Sequence, residues 1–216
     1  TNTLLNDDTG SLILSIGGTG NSTVNANSLN NKGSLQASGN ALLTIADELD
    51  NSGEILMASD LTLRGSDDAY TINTSGRMQS AGHLDIKGNI DDGSTDNDDV
   101  EAVNIGAGGV TMANSLTLNA TSLTLEHDGN LDDGGMLSTL GNMDVNVNTL
   151  TLEGYKARIV AALSASGDAN ITLQNAFTNN GAVHSSDNLT FIAPAITNSN
   201  TGGFSALNAL DLQATN

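Results

Sequence analysis

The chain has no cysteine and no tryptophan, its only proline is Pro194, and six Lys and Arg stand against twenty-five Asp and Glu. Without thiols there is no disulfide framework, no thiolate metal site and no cysteine nucleophile. A cysteine-free chain also suits passage across a cell envelope in the unfolded state. The net charge of -19 repels phosphates, which excludes nucleic acid as a partner and disfavours anionic membrane surfaces. No run of about 18 apolar residues occurs, so membrane insertion through a helix is not expected. Aromatic residues are equally scarce. Tyr70, Tyr155, Phe177, Phe191 and Phe204 are the whole set, and any core must be filled mainly by Leu, Ile, Val and Ala.

What the chain does have is repetition. An apolar fraction of 38% set at regular positions argues against acidic disorder and makes the charge a solubilising coat. With Gly53 as origin, Ile55 lies two residues on, and the pair Leu61 and Leu63 lies eight and ten on. Gly76 leads in the same way to Met78, Leu84 and Ile86; Gly181 leads to Val183, Leu189 and Phe191; Gly202 leads to Phe204, Leu210 and Leu212. Gly108 gives Val110, Leu116 and Leu118, whereas Gly33 gives Leu35 with a pair, Leu43 and Ile45, two residues late. The pairs Leu150 with Leu152 and Ile171 with Leu173 extend the series without a leading glycine. Before the glycine stands an apolar residue followed two positions later by Asn or Thr, as in Leu29 and Asn31, Leu49 and Asn51, Ile72 and Thr74, Phe177 and Asn179, Ile196 and Asn198.

Three short alternating stations per unit of roughly twenty residues are strand signals too brief for hairpin arrays. They predict an all-β fold, a parallel β-helix (solenoid) of about nine to eleven three-stranded coils with inserted loops. At about 4.8 Å per coil the rod is roughly 45 to 50 Å long. Leu49, Ile55, Leu61 and Leu63 face inward in this reading. Asn31, Gly33, Asn51, Gly53, Gly76, Asn179, Gly181, Asn198 and Gly202 turn the corners, since Gly and Asn both tolerate left-handed backbone, and stacked Asn side chains also hydrogen-bond along the axis. One segment spans residues 1–216, with regular coils over 29–86 and 177–214 and an irregular middle over 87–160. The chain opens on Thr1 and stops at Asn216 in mid-pattern, so it is expected to be an internal piece of a longer chain, with unpaired strand edges at both ends.

The breaks in the pattern carry the functional expectation. "RGSDDAY" (64–70) lengthens one coil, "KGNIDDGSTDNDDVEAVNIGAG" (87–108) adds about a dozen residues, and "EHDGNLDDGGMLSTLGN" (126–142) stretches a third. Insertions in solenoids map to loops, often on the binding face. The receptor-contact candidates are therefore Asp91, Asp92, Asp96, Asp98, Asp99 and Glu101 in the first long break, and His127, Asp132, Asp133 and Met136 in the second. Tyr155, Lys156 and Arg158 of "EGYKAR" join them as the one place where an aromatic sits amid positive charge.

Catalysis and metal binding are weaker readings. The Asp pairs 67/68, 91/92, 98/99 and 132/133 are sequence neighbours, which point to opposite sides of an extended chain rather than across a glycosidic bond. The cations are scattered. "DDGSTDNDD" (91–99) could hold calcium but matches neither the EF-hand nor the nonapeptide spacing, and no other cofactor is expected. His83, His127 and His184 are far apart, which leaves no zinc triad.

The units "LNNKGSLQAS", "LDNSGEILMASDLTL" and "FTNNGAVHSSDNLTF" resemble the repeats of filamentous haemagglutinin-like exoproteins, the adhesins and contact-dependent growth inhibition proteins exported by two-partner secretion in Gram-negative bacteria. The resemblance covers Leu29 to Ile86 and Phe177 to Ala214 and is fainter between. It implies a right-handed β-helical, non-enzymatic filament segment secreted to the bacterial cell surface, passing an outer-membrane transporter on export. Its partner would be an outer-membrane protein or surface glycan of a target cell. The alternatives are a purely structural spacer and, third, a β-helical enzyme acting on polysaccharide.

Overall fold

The computed structural model describes residues 2–18, 20–66, 70–88, 100–129, 134–154, 157–161 and 167–215, with the side chains of 158–161 left aside. Among these residues there are twenty-one strands and no helix, and every pairing between named strands is parallel. The chain is a parallel β-solenoid, as the twenty-residue repeat predicts.

Three faces run the length of the rod. On the first, residues 3–6, 28–31, 48–51, 71–74, 102–105, 122–125 and 149–152 stack in register. On the second, the stack is 11–15, 34–37, 54–57, 77–80, 110–113, 136–139, 158–161, 182–185 and 203–206. On the third it runs 22–26, 41–45, 61–65, 84–87, 116–120, 143–147, 169–173, 189–193 and 209–214. Nine levels make about eight turns. The expected nine to eleven is slightly high because the breaks absorb residues that coil counting assigned to further turns.

The interior is filled as the composition requires. Leu35, Ile55 and Met78 from the second face meet Leu43, Leu63 and Ile86 from the third and Leu29, Leu49 and Ile72 from the first, all essentially inaccessible to solvent. Near the carboxy-terminal end the scarce aromatics gather. Phe177 and Phe191 lie with ring centroids 4.9 Å apart, and Phe204 packs edge-on against Phe191 at 5.1 Å. Tyr70 is buried as well and donates its hydroxyl to the Lys87 carbonyl at 3.1 Å. Burial, with Asp85 adding to it, pushes that phenol well above its ordinary ionisation range.

The register corrects three details. The pair over Leu61 and Leu63 is Ala41 and Leu43, so the Gly33 unit is not late; Ile45 simply adds a third inward station. In the Gly108 unit the residue in line with Gly76 is Gly109. Val110 therefore faces outward, and Thr111 and Ala113 point into the core. Leu150 and Leu152 belong to the first face, above Leu123 and Leu125, not to the third-face series that Ile171 and Leu173 continue.

Hydrogen bonding on the first face is interrupted once. Phe177–Asn179 and Ile196–Asn198 form a separate two-stranded sheet, while the second and third faces stay continuous through the same levels.

Candidate interaction surface

The corner between the first and second faces is built from two columns. The first holds Asn6, Asn31, Asn51 and Thr74, in register on successive levels. Asn6 donates its amide to Asn31 Oδ1 at 2.7 Å, Asn31 to Asn51 Oδ1 at 2.7 Å, and Asn51 to Thr74 Oγ1 at 3.0 Å. Each amide also reaches a carbonyl of the next coil, those of Ser34, Glu54 and Arg77. The expected amide stack is thus present, and it resumes near the other end, where Asn179 donates to Asn198 at 3.0 Å. Between the two runs the column becomes Ile105, Leu125 and Leu152.

The second column, one corner later, reads Gly10, Gly33, Gly53, Gly76, Gly109, Gly135, Ala157, Gly181 and Gly202, each just before a second-face strand. Left-handed backbone is not the reason for these glycines, contrary to expectation: positive φ occurs at Gly17, Gly108, Gly129 and Gly154 and at none of the column. The cause is close approach. A Cβ on Gly53 would overlap the Gly33 carbonyl oxygen, one on Gly76 that of Gly53, one on Gly181 that of Ala157, and one on Gly202 that of Asn179. Coils nest here backbone on backbone.

Corner length decides where the surface becomes irregular. The asparagine corners around Lys32, Ser52 and Asn180 spend one residue between the columns. Apart from the corners of the two end levels, 7–9 and 199–201, which take three residues each, the ones that grow follow Ile105, Leu125 and Leu152 on three consecutive levels. Residues 106–109 close a turn by Gly109 N–H to Gly106 O at 2.8 Å. After Leu125 the chain leaves the rod and returns through an isolated antiparallel bridge of His127 with Gly134, reinforced by Gly135 N–H to Glu126 O at 2.8 Å. Gly154 sits on the His127 ring, where an added Cβ would lie 3.4 Å from Nδ1. Glu126, Asp128 and Glu153 are exposed at this corner.

Of the candidates, His127, Met136 and Arg158 come together here. Met136 is half-buried and pairs with Arg158 on the next level, and its N–H bonds Gly109 O at 2.9 Å. Exposed Glu101 lies elsewhere, at the corner between the third and first faces, in the strand Val100–Ile105 that follows the 88–99 break in sequence. Both break regions therefore flank the same first-face strands. Asp91, Asp92, Asp96, Asp98, Asp99, Asp132, Asp133, Tyr155 and Lys156 lie outside the described residues, as does the proposed calcium segment. Among the described residues no three His, Asp or Glu side chains cluster as metal ligands. His83 and His184 occupy different faces, each with Nδ1 2.8 Å from a serine hydroxyl of the next coil, Ser115 and Ser205.

Two surfaces escaped the sequence reading. Arg64 and Lys87, treated as scattered, stack in register beside a groove of about 350 Å³ that Asn40, Asp60 and Thr62 also line. The signal was available, since "LTLRG" and "LDIKG" place a cation directly after each apolar pair. Lys87 is held by Asp85 at 2.5 Å. A second groove, of about 560 Å³, runs past Ile13, Ile16 and Leu56 near the amino-terminal end. Compared with family models, curated proteins and solved structures, the chain finds no match in any of the three.

Proposed function

We propose that the chain is a rigid, non-enzymatic presenting rod, an adhesin-like segment whose long corners contact a receptor on a neighbouring cell. One observation carries this reading: away from the end levels, the corners that grow between the first and second faces lie on three consecutive levels, and the 88–99 break adjoins the same strands on their other side. A stacked backbone beneath them keeps the ordering cost of binding small, and long loops supply specificity. Exposed Glu126, Asp128 and Glu153 favour a receptor surface with basic or hydrogen-bonding groups, such as an outer-membrane protein or a surface glycan. The resemblance of the repeats to filamentous haemagglutinin-like exoproteins supports placement at the surface of a Gram-negative cell after two-partner secretion.

Shortening 127–134 and 89–99 to two-residue links tests the proposal. Cell binding is expected to fall at least tenfold while far-UV circular dichroism and thermal midpoint stay near those of the parent. Unchanged binding by a folded double deletion would refute it and leave the spacer reading.

A further inference from the structure

We infer that an apolar strip in the middle of the second face seats a protein partner, through a segment that presents apolar side chains beside Lys or Arg; this deepens the receptor reading above and rests on it. The strip begins where the long corners end. Corners 106–109, 126–135 and 153–157 lead directly into the second-face stretches 110–113, 136–139 and 158–161, stacked on three consecutive levels. These stretches read VTMA, MLST and RIVA, without an acidic residue in a chain that has twenty-five Asp and Glu. Thr111, Ala113, Leu137 and Thr139 are buried inward, so Val110, Met112 and Met136 stand outward and half-buried, Val110 in register with Met136. Leu140, just past Thr139, is 42% exposed. Among the described residues it is the one exposed large hydrophobic side chain outside the first and last levels. The other faces are polar at the same heights, presenting Thr117, Asn119, Asp144 and Asn146 on the third and Asn104, Thr124 and Thr151 on the first. An apolar strip confined to one face, beside the corners that grow, marks an interaction surface.

Ser138 is an independent sign of an absent ligand. It points outward, in register with Met112 on one level and Val160 on the next, yet it is 1% exposed and its hydroxyl has no hydrogen-bond partner. A buried hydroxyl without a partner is uncommon and destabilising. A main-chain carbonyl of a docked protein supplies the acceptor once the flexible methionines give way. Charge selects the rest of the occupant. Glu126, Asp128 and Glu153 are exposed along the corner that borders the strip, and Lys or Arg next to the partner's apolar side chains would face them. A second copy of the chain brings the same acidic corner and the same net charge of -19, which opposes pairing through this strip. An acidic glycan meets like charge at the corner, and a neutral one leaves the methionines uncovered.

The methionines make the strip readable in the unmodified chain. Met57, Met78 and Met143 belong to the core, whereas Met112 and Met136 face outward. Dilute hydrogen peroxide, its dose followed by free N-acetylmethionine, should convert Met112 and Met136 to sulfoxide about tenfold faster than the other three, as peptide mass spectrometry reads. Outer-membrane vesicles from a Gram-negative target strain are expected to slow those two by at least about threefold at saturation. Proteinase treatment of the vesicles should abolish the protection and periodate oxidation of their glycans should leave it. Met112→Asp with Met136→Asp should weaken vesicle binding about tenfold, while the same charges at Thr117→Asp with Asn146→Asp leave it unchanged. Saturable binding that shortened 127–134 and 89–99 abolish, with Met112 and Met136 unprotected, would overturn the strip and keep the loop reading. Protection that survives the shortening would support the strip and refute the role of the loops. Protection lost to periodate but not to proteinase would overturn the choice of a protein.

Discussion

Replacing Gly53 by alanine separates two explanations of a glycine column that sequence cannot distinguish. The added methyl carbon would overlap the Gly33 carbonyl oxygen and lie 2.5 Å from the carbonyl carbon and oxygen of Lys32. All three obstacles are backbone, so no rotamer change relieves them, and the coils must part. Parting stretches the bonds that seal this corner, Glu54 N–H to Gly33 O at 2.8 Å and Gly53 N–H to Asn31 O at 3.0 Å. Overpacking costs about 1–3 kcal/mol and each of the two weakened hydrogen bonds about 1 kcal/mol, which together give roughly 3–5 kcal/mol. For a chain of this size that lowers the melting midpoint by about 6–20 °C. Two controls isolate the cause. Gly17 has a φ of 68° and open space around it, so Gly17→Ala isolates left-handed strain, about 1–2 kcal/mol. Gly20 has neither constraint, and Gly20→Ala should fall within about 0.5 kcal/mol of the parent. Urea denaturation followed by circular dichroism ranks the three. A Gly53→Ala variant as stable as Gly20→Ala would refute close approach as the reason for the column.

The amide stack predicts strong coupling. Asn51→Leu alone leaves the Asn31 amide without its side-chain acceptor in a buried position, only the Glu54 carbonyl remaining, and should cost about 2–4 kcal/mol, while Asn31→Leu with Asn51→Leu should cost clearly less than the sum of the singles, because the same column is already apolar at Ile105, Leu125 and Leu152. Simple additivity in urea titrations would contradict this. Tyr70 predicts base sensitivity. Its phenol is held neutral in the folded state, so the unfolded chain, releasing its proton near pH 10, gains over the folded one as pH rises further, and stability falls above about pH 10. In a Tyr155→Phe background the 295 nm phenolate absorbance should rise together with loss of β-sheet dichroism. A smooth titration near pH 10 in a folded chain would refute the burial.

The coil was legible because an interior of one residue width forces strict alternation: Leu49, Ile55, Leu61 and Leu63 could face nowhere else. The reason for the corner glycines was not legible, since close approach and left-handed backbone both select glycine and leave the same letter. Val110 was misplaced because "GAGG" offers two glycines, and only the partner strand settles that Gly109 is in line. The surface site was half legible. Breaks in a period reveal that a coil is long, but not at which of three corners it is long. That the excursion after Leu125 shares an edge with 106–109 and 153–157, while 88–99 leaves from another corner, depends on register alone.

The gap in first-face hydrogen bonding between residues 149–152 and the strand Phe177–Asn179 has a mechanical meaning. A rod bonded on three sides resists bending equally, but at this level it is bonded on two. Flexing that opens the first face breaks no strand ladder there, whereas the same deflection at other levels stretches one. The molecule is therefore stiff along most of its length and compliant in one plane at one height, just beyond the long corners, where a loaded tip would yield first.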